Sequence, residues 1–406
     1  MKTKLKRIAQ ATLATVALAG FGSAAHAQIS GDVVKIGFLT DMSSVYADID
    51  GPAGVEAIKM AIADMKGMAA GKKIEFIYAD HQNKADIGAS KAREWFDTQG
   101  VDLLVGGTNS GVNIALSKVA AEKHKPFISI GAGSARLTNE DCTPYTIHYA
   151  YDTVALARGT VNPMVKGGGK NWYFLTADYA FGASLQSDAT AVIQQAGGKV
   201  LGSVKHPLNA NDFSSFLLQA QSSGAQVLGL ANAGGDTINS IKAANEFGIT
   251  KSMKLAGLLM FINDVHSVGL NAAQGMFVTD SWYWNQSPEA REWSRRFFDK
   301  MKRMPSSLQA ADYSAVTHYL QAVDKLKTDD GDKVMAAMKA APVNDFYSKG
   351  TIRKEDGRFV HDMFLMQVKS PKDSAEPWDY YKLVSRIPGD EAFTKLADSK
   401  CPLVKK

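Results

Sequence analysis

Residues 101–130 read VDLLVGGTNSGVNIALSKVAAEKHKPFISI, and this stretch decides the fold class. The apolar runs Val101–Val105 and Pro126–Ile130 have the length and composition of buried strands. Between them, Val112–His124 has the apolar spacing of a helix. A strand, a helix and a second strand in this order are typical of a βαβ unit, whose two strands are parallel.

The same alternation continues on both sides of this unit. Before it, the predicted strands are Val33–Leu39 and Ile74–Ala79, and the predicted helices are Gly54–Lys66 and Ala85–Thr98. A second series follows Tyr151, and its predicted strands are Trp172–Thr176, Lys199–Val204, Val227–Ala231, Lys254–Gly257 and Met276–Thr279. Such alternation is typical of parallel sheets covered by helices. We therefore predict an α/β fold with two doubly wound parallel-sheet lobes.

The pattern changes after Ser281 to helical segments and one hairpin. The predicted helices are Glu289–Lys302, Ala310–Lys327 and Lys333–Lys339, and the hairpin turns at Asp356 and Gly357 before FLMQV. These elements cannot form a sheet domain of their own, so we expect them to pack back onto the two lobes. A chain that returns in this way crosses between the lobes several times, and such crossings form a hinge.

The first 27 residues have the pattern of a secretory signal. Four basic residues precede the apolar run Ile8–Gly22, and Ala25-His26-Ala27 forms a small-residue cleavage site. A membrane anchor is the alternative, but the apolar run is too short to span a bilayer. We expect cleavage after Ala27 and a periplasmic product. Cleavage lowers the formal net charge from +5 to +1, which gives no reason to expect nucleic acid or an anionic membrane as a partner.

The chain has two cysteines, Cys142 and Cys401. An oxidising compartment allows them to form a disulfide, and two buried free thiols are the alternative. We predict the disulfide, because an unpaired thiol is a liability after export. It would hold the C-terminal tail beside the middle of the chain.

Two glycine-rich turns follow neighbouring strands of the first lobe. In VGGTNSG, Ser110 is a candidate N-cap whose neighbouring N–H groups and helix dipole can hold an anion, although an ordinary capped turn would look the same. In SIGAGSARLT, the residues Ala132, Gly133 and Ser134 lie at the next strand end. Two such turns side by side can hold both oxygens of a carboxylate. The turn VGGTNSG does not match a dinucleotide fingerprint, a P-loop or a nucleophile elbow.

The second lobe has three further turns at strand ends. They contribute Asp178, Tyr179 and Phe181 in ADYAFG, Asn232 and Asp236 in NAGGD, and Leu259 and Met260 in GLLMFIND. An aromatic side chain here can cover a ligand that enters from the other lobe, whereas Leu259 and Met260 are also compatible with ordinary sheet core. The eight histidines are scattered and no H-E-x-x-H occurs, so we expect no metal, cofactor or catalytic site.

Taken together, these segments resemble the extracellular ligand-binding proteins of ABC transporters, specifically the leucine/isoleucine/valine-binding type with the type I periplasmic fold. The resemblance covers essentially the whole mature chain. Its order and spacing are specific, although each motif alone is loose. The motifs are VKIGFLTDMS, GPAGVEAIKMAIAD, VGGTNSG, PFISIGAGSARLT, FLTADYAFG and NDFSSFLLQAQSSGAQVLGLANAGGD.

The resemblance implies how the two lobes and the hinge are arranged. It implies three hinge crossings, which we expect at Thr146–Tyr151, Val278–Ser281 and Tyr347–Thr351. Lobe one would then comprise residues 28–148 and 281–348. Lobe two and the tail would comprise residues 149–280 and 349–406.

The resemblance also implies a carboxylate-binding site at Ser110, Ala132 and Gly133, and a second-lobe aromatic at Phe181 or Tyr179. Trp284 in SWYWN adds aromatic surface either to the cleft or to the hinge packing. The full set of candidate ligand-binding residues is Tyr46, Asn109, Ser110, Ala132, Gly133, Ser134, Asp178, Tyr179, Phe181, Asn232, Asp236, Leu259, Met260 and Trp284.

One departure from the family pattern bears on the ligand. Family members that bind α-amino acids hold the ammonium with an acidic residue, and Leu259 or Met260 stands where that acid is expected. Asp178, Asp236 or Asp264 can supply it from elsewhere. We therefore expect a carboxylic acid without an α-ammonium, of the benzoate or phenylpropenoate type, delivered by a monomeric binding protein to a membrane permease. The alternatives are a branched-chain amino acid as ligand, a sensory binding module, and an enzyme.

Overall fold

The computed structural model describes residues 29–405, so the predicted signal peptide and its cleavage point lie outside the described residues. The first sheet has the order β2-β3-β1-β4-β5-β6, and all its neighbours are parallel except β2 and β3. Its strands are β1 (Val33–Thr40), β2 (Met68–Ala69), β3 (Lys72–Asp80), β4 (Leu103–Gly106), β5 (Phe127–Ser129) and β6 (Thr146–His148). The helices between them are α1 (Ala47–Asp64), α2 (Ala85–Thr98) and α3 (Ser110–Glu122).

The second sheet is parallel, with the order β10-β9-β7-β8. Its strands are β7 (Asn171–Ala177), β8 (Lys199–His206), β9 (Val227–Ala231) and β10 (Lys254–Gly257). The helices of this lobe are α4 (Thr153–Lys166), α5 (Ala180–Gln195), α6 (Ser214–Ser222), α7 (Gly235–Glu246), α8 (Ile262–Val268) and α9 (Leu270–Ala273). The central strands are apolar runs because helices cover both faces of each sheet, and β4 and β9 are buried along their whole length. The predicted α/β fold with two lobes is confirmed.

Strand β11 (Phe277–Asp280) was predicted to extend the second parallel sheet, and this prediction is wrong. The later segments are α10 (Pro288–Met301), α11 (Ser307–Leu326), α12 (Gly331–Ala340), β12 (Val343–Asn344), β13 (Lys349–Ile352), β14 (Phe359–His361), β15 (Met363–Val368), β16 (Tyr381–Ile387) and α13 (Gly389–Ala392). The antiparallel sheet β11-β15-β16 contains β11. The cause is the returning chain, which places β15 beside β11, where both pack against α4.

The helices that follow β11 pack on the first lobe, as predicted. Helix α11 lies against α1, and α12 lies against α11. Local signals fix the start of these helices: Ser287 caps α10 ahead of Pro288, and Ser306 forms a capping box with Gln309 at α11.

Two chain segments that connect the lobes are hydrogen-bonded to each other: residues 149–152, between β6 and α4, and residues 358–362, which lead into β15. The guanidinium of Arg358, which is fully buried, donates to the carbonyl oxygens of Tyr149 and Tyr151. The Nε2 atom of His361 lies 2.9 Å from the carbonyl oxygen of Ala150. The predicted third crossing, Tyr347–Thr351, overlaps β13, and the chain reaches the sheet of β11 only with β15, which begins at Met363. The predicted lobe boundaries stay a prediction.

The predicted disulfide between Cys142 and Cys401 is present, with the two Cα atoms 5.6 Å apart. It joins the loop before β6 to the end of the tail, across 259 residues of sequence. Every helix within residues 29–405 is too short or too polar to cross a bilayer.

Candidate functional site

A cavity lies between the lobes, where the carboxyl ends of strands from both parallel sheets face each other. In parallel sheets this edge is where ligands bind. The free volume of the cavity is only about 10 Å³, roughly the space that one water molecule needs, so the cleft is closed in this structure. Its lining residues are Tyr46, Ile49, Thr108, Asn109, Ser110, Gly131, Gly133, Tyr151, Tyr179, Phe181, Ala233, Leu259 and Phe261.

The turn between β4 and α3 forms one end of the cavity. Asn109, with φ at 72°, is the N-cap of α3, and its side chain accepts a hydrogen bond from the N–H of Val112. The prediction that Ser110 caps this helix is therefore wrong, because Asn tolerates the left-handed backbone that the turn requires. Ser110 is the first helical residue, so its N–H has no acceptor within the helix. The positive end of the helix dipole lies at this edge of the cavity.

A second turn, after β5, is tied to the first one. The N–H of Ser134 donates to Oγ of Ser110 at 3.0 Å. The strands β4 and β5 are adjacent and parallel, so the two turns lie side by side as the sequence predicted. A β-carbon on Gly133 would lie 2.8 Å from Phe181 and 2.9 Å from Tyr151, which explains why this position has no side chain.

Thr108 is a lining residue that sequence analysis missed, although it stands in the quoted motif VGGTNSG. Its residue is 3% exposed, and its hydroxyl has no hydrogen-bond partner among residues 29–405. Its carbonyl oxygen accepts from Nδ2 of Asn113 at 3.0 Å, which fixes the backbone. A buried hydroxyl without a partner is costly unless a ligand completes it.

The rest of the lining is largely apolar and aromatic. Five rings contribute to it, those of Tyr46, Tyr151, Tyr179, Phe181 and Phe261. The hydroxyl groups of Tyr46 in the first lobe and Tyr179 in the second are 2.5 Å apart and form a hydrogen bond across the cleft. Burial, together with the neighbouring Tyr179, raises the pKa of Tyr46 well above its ordinary value, so both phenols are neutral at physiological pH.

None of the thirteen lining residues is charged. The nearby carboxyl of Asp236 accepts from the N–H groups of Asn209 and Ala210, each at 3.1 Å, and burial raises its pKa to about 6. The carboxyl of Asp264 accepts from the N–H of Phe261 at 2.9 Å, and burial raises its pKa to about 7. Both carboxyl groups are thus bound to backbone behind the cavity wall.

Seven of the fourteen candidate residues line the cavity: Tyr46, Asn109, Ser110, Gly133, Tyr179, Phe181 and Leu259. Asp236, Ala132 and Ser134 lie outside the lining, although Ala132 and Ser134 belong to the second turn. The carbonyl of Ala132 contacts Nε2 of His148 at 2.6 Å. The candidate set lacked six lining residues: Ile49, Thr108, Gly131, Tyr151, Ala233 and Phe261. Phe261 stands in the predicted turn GLLMFIND beside Leu259, and the strand-end position of Thr108 was the available signal.

The other four candidates make contacts elsewhere. Asp178 is exposed and forms an ion pair with Lys205, and Asn232 is hydrogen-bonded to Thr237 inside lobe two. Met260 packs back onto Gly257, since a β-carbon there would lie 2.2 Å from its sulfur. Trp284 donates from Nε1 to the carbonyl of Trp378 at 2.9 Å, so it packs beside the hinge.

Comparison with known proteins places this geometry in a family. Residues 33–375 match the model of the periplasmic binding protein family. The chain is similar to a periplasmic binding protein from Burkholderia mallei, with 65% identity, coverage of 92% of this chain and 100% of the other, and a TM-score of 0.91. It is also similar to a branched chain amino acid ABC transporter periplasmic ligand-binding protein from Burkholderia xenovorans LB400, with 37% identity, coverage of 92% and 100%, and a TM-score of 0.80.

A more distant structure shares the fold. It is the solute binding protein of an ABC transporter from Rhodopseudomonas palustris BisB5 in complex with 3,4-dihydroxybenzoic acid, 23% identical, with coverage of 92% and 99% and a TM-score of 0.80. The family match agrees with the two-lobed fold and with the position of the cavity in the cleft between the lobes. The chain therefore belongs to the family of periplasmic binding proteins, the substrate-binding proteins of ABC transporters with the type I fold.

Proposed function

We propose that the protein binds a small aromatic carboxylic acid without an α-ammonium and delivers it to the permease of an ABC importer. The observation that carries the proposal is the cavity lining, which has polar donors at one end, five aromatic rings and no charged side chain. Such a lining suits a ligand whose anionic group accepts hydrogen bonds from N–H and O–H groups and whose apolar body packs against aromatic rings.

The carboxylate would bind at the two turns of lobe one. Within residues 29–405 the hydroxyl of Thr108 and the N–H of Ser110 have no acceptor, so both can donate to a ligand at the N-terminus of α3. Hydrogen bonds to a charged group are worth about 1.5–3 kcal/mol each, so two donors account for useful affinity. The family resemblance already implied that Ser110 binds the carboxylate, and this proposal adds Thr108.

The ring would bind among Tyr151, Phe181 and Phe261. Aromatic pairs in offset or edge arrangements gain about 0.5–1.5 kcal/mol beyond the area that they bury. An α-ammonium, by contrast, would have no carboxylate among the lining residues, and burying it unpaired costs several kcal/mol. The distant structure with dihydroxybenzoic acid shows that this fold can enclose a single-ring acid.

Capture would occur by closure of the lobes. The hydrogen bond between Tyr46 and Tyr179 joins the lobes in the closed form, as does the contact at 2.7 Å between the hydroxyls of Ser134 and Ser184. A ligand that touches both lobes shifts the open and closed populations by its differential affinity. We propose that the exported protein acts as a monomer, releases its ligand unchanged, and is read by the permease in the closed form.

A branched-chain amino acid is the second candidate, because the Burkholderia xenovorans relative at 37% identity carries that description. In that case Asp236, whose carboxyl acts electrostatically on both Tyr46 and Tyr179, would have to pair with the ammonium.

A thermal-shift assay on ligand-stripped protein separates the two candidates. Ligand at about one hundred times its Kd adds roughly 2.7 kcal/mol of stability, so benzoate or a phenylpropenoate should raise Tm. Leucine and valine at the same concentration should not. If leucine or valine raised Tm while a panel of aromatic acids left it unchanged, the amino-acid function would replace this one. The bound acid should be recovered chemically unchanged after the complex is denatured, whereas a converted acid would indicate an enzyme.

A further inference from the structure

The C-terminal tail forms a further connection between the two lobes, in addition to the predicted hinge crossings. The tail leaves lobe two at α13, which packs on α4. Nη1 of Arg158, on α4, donates to the carbonyl oxygens of Glu391, Ala392 and Phe393 at 3.0, 3.3 and 2.8 Å. The tail is therefore anchored to α4 as far as Phe393, and the carbonyl oxygen of the next residue, Thr394, accepts from Nη1 of Arg353 at 2.7 Å.

The end of the tail is anchored to lobe one. Cys401 is bonded to Cys142, which lies in the loop that leads into β6 of the first sheet. The N–H of Lys400 donates to Oδ1 of Asn139 at 3.0 Å in the same loop. Residues 394–400, called the strap below, thus run from one lobe to the other.

The strap borders a groove at the edge of the ligand cleft. Arg136 and Asn139 of lobe one, Ser184 and Asp188 on α5, and Lys400 of the strap line this groove. Helix α5 begins next to Tyr179 and carries Phe181, both of which line the ligand cavity. Helix α5 packs on α4, to which the tail is anchored, so any opening that moves these two helices away from lobe one would stretch the strap.

The length of the strap limits that movement. Eight Cα–Cα steps separate Phe393 from Cys401, so the two anchors cannot be more than about 28 Å apart. Leu396–Asp398 form a 3₁₀ turn, which rises about 2.0 Å per residue and therefore holds slack that opening can take up. We propose that the disulfide-anchored strap permits opening of the cleft up to this length and then stops it.

A limit of this kind favours ligand binding. A tether that excludes the widest open conformations lowers the entropy of the open state, and the closed state is then more populated. The inference does not depend on which acid the cleft binds.

The test uses the mature protein after ligand is stripped by unfolding and oxidative refolding. Two variants release the limit in different ways: Cys142→Ser/Cys401→Ser removes the anchor, and six Gly/Ser residues inserted after Leu396 lengthen the strap with the disulfide intact. Small-angle X-ray scattering should show a larger radius of gyration for both ligand-free variants than for the wild type. Benzoate titrations should show Kd raised by about three- to tenfold.

The control separates a looser strap from a less stable fold. Leu217→Ala empties a fully buried position on α6 and lowers Tm with the strap intact, and it should leave the radius of gyration unchanged. Equal radii for the wild type and both strap variants would overturn the proposal. The scattering comparison decides this even if benzoate proves not to bind, in which case only the proposed ligand fails.

Discussion

At the scale of single residues, the hydroxyl of Thr108 distinguishes a binding turn from an ordinary helix cap. The polar side chains beside it in the turn have partners in the protein: Asn109 caps α3, Oγ of Ser110 accepts from the N–H of Ser134, and Asn113 donates to the backbone carbonyls. The threonine hydroxyl alone is buried, in the cavity lining and without a partner among the described residues.

We expect Thr108→Val to weaken binding of benzoate by about 2 kcal/mol, or roughly 30-fold, because it removes one hydrogen bond to a charged group at constant shape. Isothermal titration calorimetry measures the change. The matched control is Thr138→Val, another buried threonine of lobe one that lies outside the cavity lining. Wild-type affinity in Thr108→Val would remove this residue from the site.

A second residue-scale feature is a pair of buried carboxyl groups behind the cavity. A β-carbon on Gly54 would lie 2.6 Å from Oδ1 of Asp50 and 2.8 Å from Oδ2 of Asp312, so the two groups are close together. Burial raises the pKa of Asp50 to about 7, and burial and the neighbouring Asp50 raise the pKa of Asp312 well above its ordinary value. The folded protein therefore holds protons here that the unfolded chain releases above about pH 4.

The sign of the pH effect follows from these raised pKa values. The protons held by this pair stabilise the folded state fully below about pH 4, and this stabilisation is lost as the pH rises through about 7. We expect the Tm of Asp312→Asn minus the Tm of the wild type to be about 2–4 °C larger at pH 8 than at pH 5. Calorimetry at both pH values measures this difference. Asp86→Asn, at an exposed position, should show no such difference between the two pH values. A constant gap for Asp312→Asn would mean that the pair holds no proton.

At the scale of secondary-structure elements, the close approach of the second turn to α5 and α4 decides whether the cleft can close. Gly133 packs against Phe181 at the start of α5 and against Tyr151 just before α4. We expect Gly133→Ala to fold normally and to bind benzoate at least tenfold more weakly, because the methyl group pushes the lobes apart. Fluorescence titration gives the affinity, and Gly31→Ala, whose β-carbon has no atom within 3.7 Å, is the control. Unchanged affinity in Gly133→Ala would show that closure tolerates the extra volume.

Most elements were predictable from the sequence, and the exceptions share one cause. Helix α2 and strands β9 and β10 have the predicted bounds, because periodicity and composition are local properties. The sheet membership of β11 was not predictable, since its partner β15 lies more than eighty residues further along the chain. Half of the candidate ligand-binding residues line the cavity, because strand ends are visible in the local sequence. The other half do not, because the local sequence does not show in which direction a side chain points.

At the scale of the whole molecule, the export prediction concerns the residues before the described part of the chain. We expect the periplasmic product to begin at Gln28, because the small-residue pattern Ala25-His26-Ala27 is typical of a cleavage site. Intact-mass spectrometry of the periplasmic fraction measures the N-terminus. Recovery of full-length chain in the membrane fraction would support an anchor instead.

By itself, the sequence determined the two α/β lobes, the return of the later helices and the pairing of Cys142 with Cys401. These follow from alternation, length and a cysteine count of two, which one chain displays without any knowledge of contacts. Only the tertiary structure decided which side chains face the cavity, that no charge lines it, and that the tail bridges the lobes. These depend on contacts between residues far apart in sequence, such as Tyr46 with Tyr179 and Arg158 with Phe393, and no local pattern encodes such contacts.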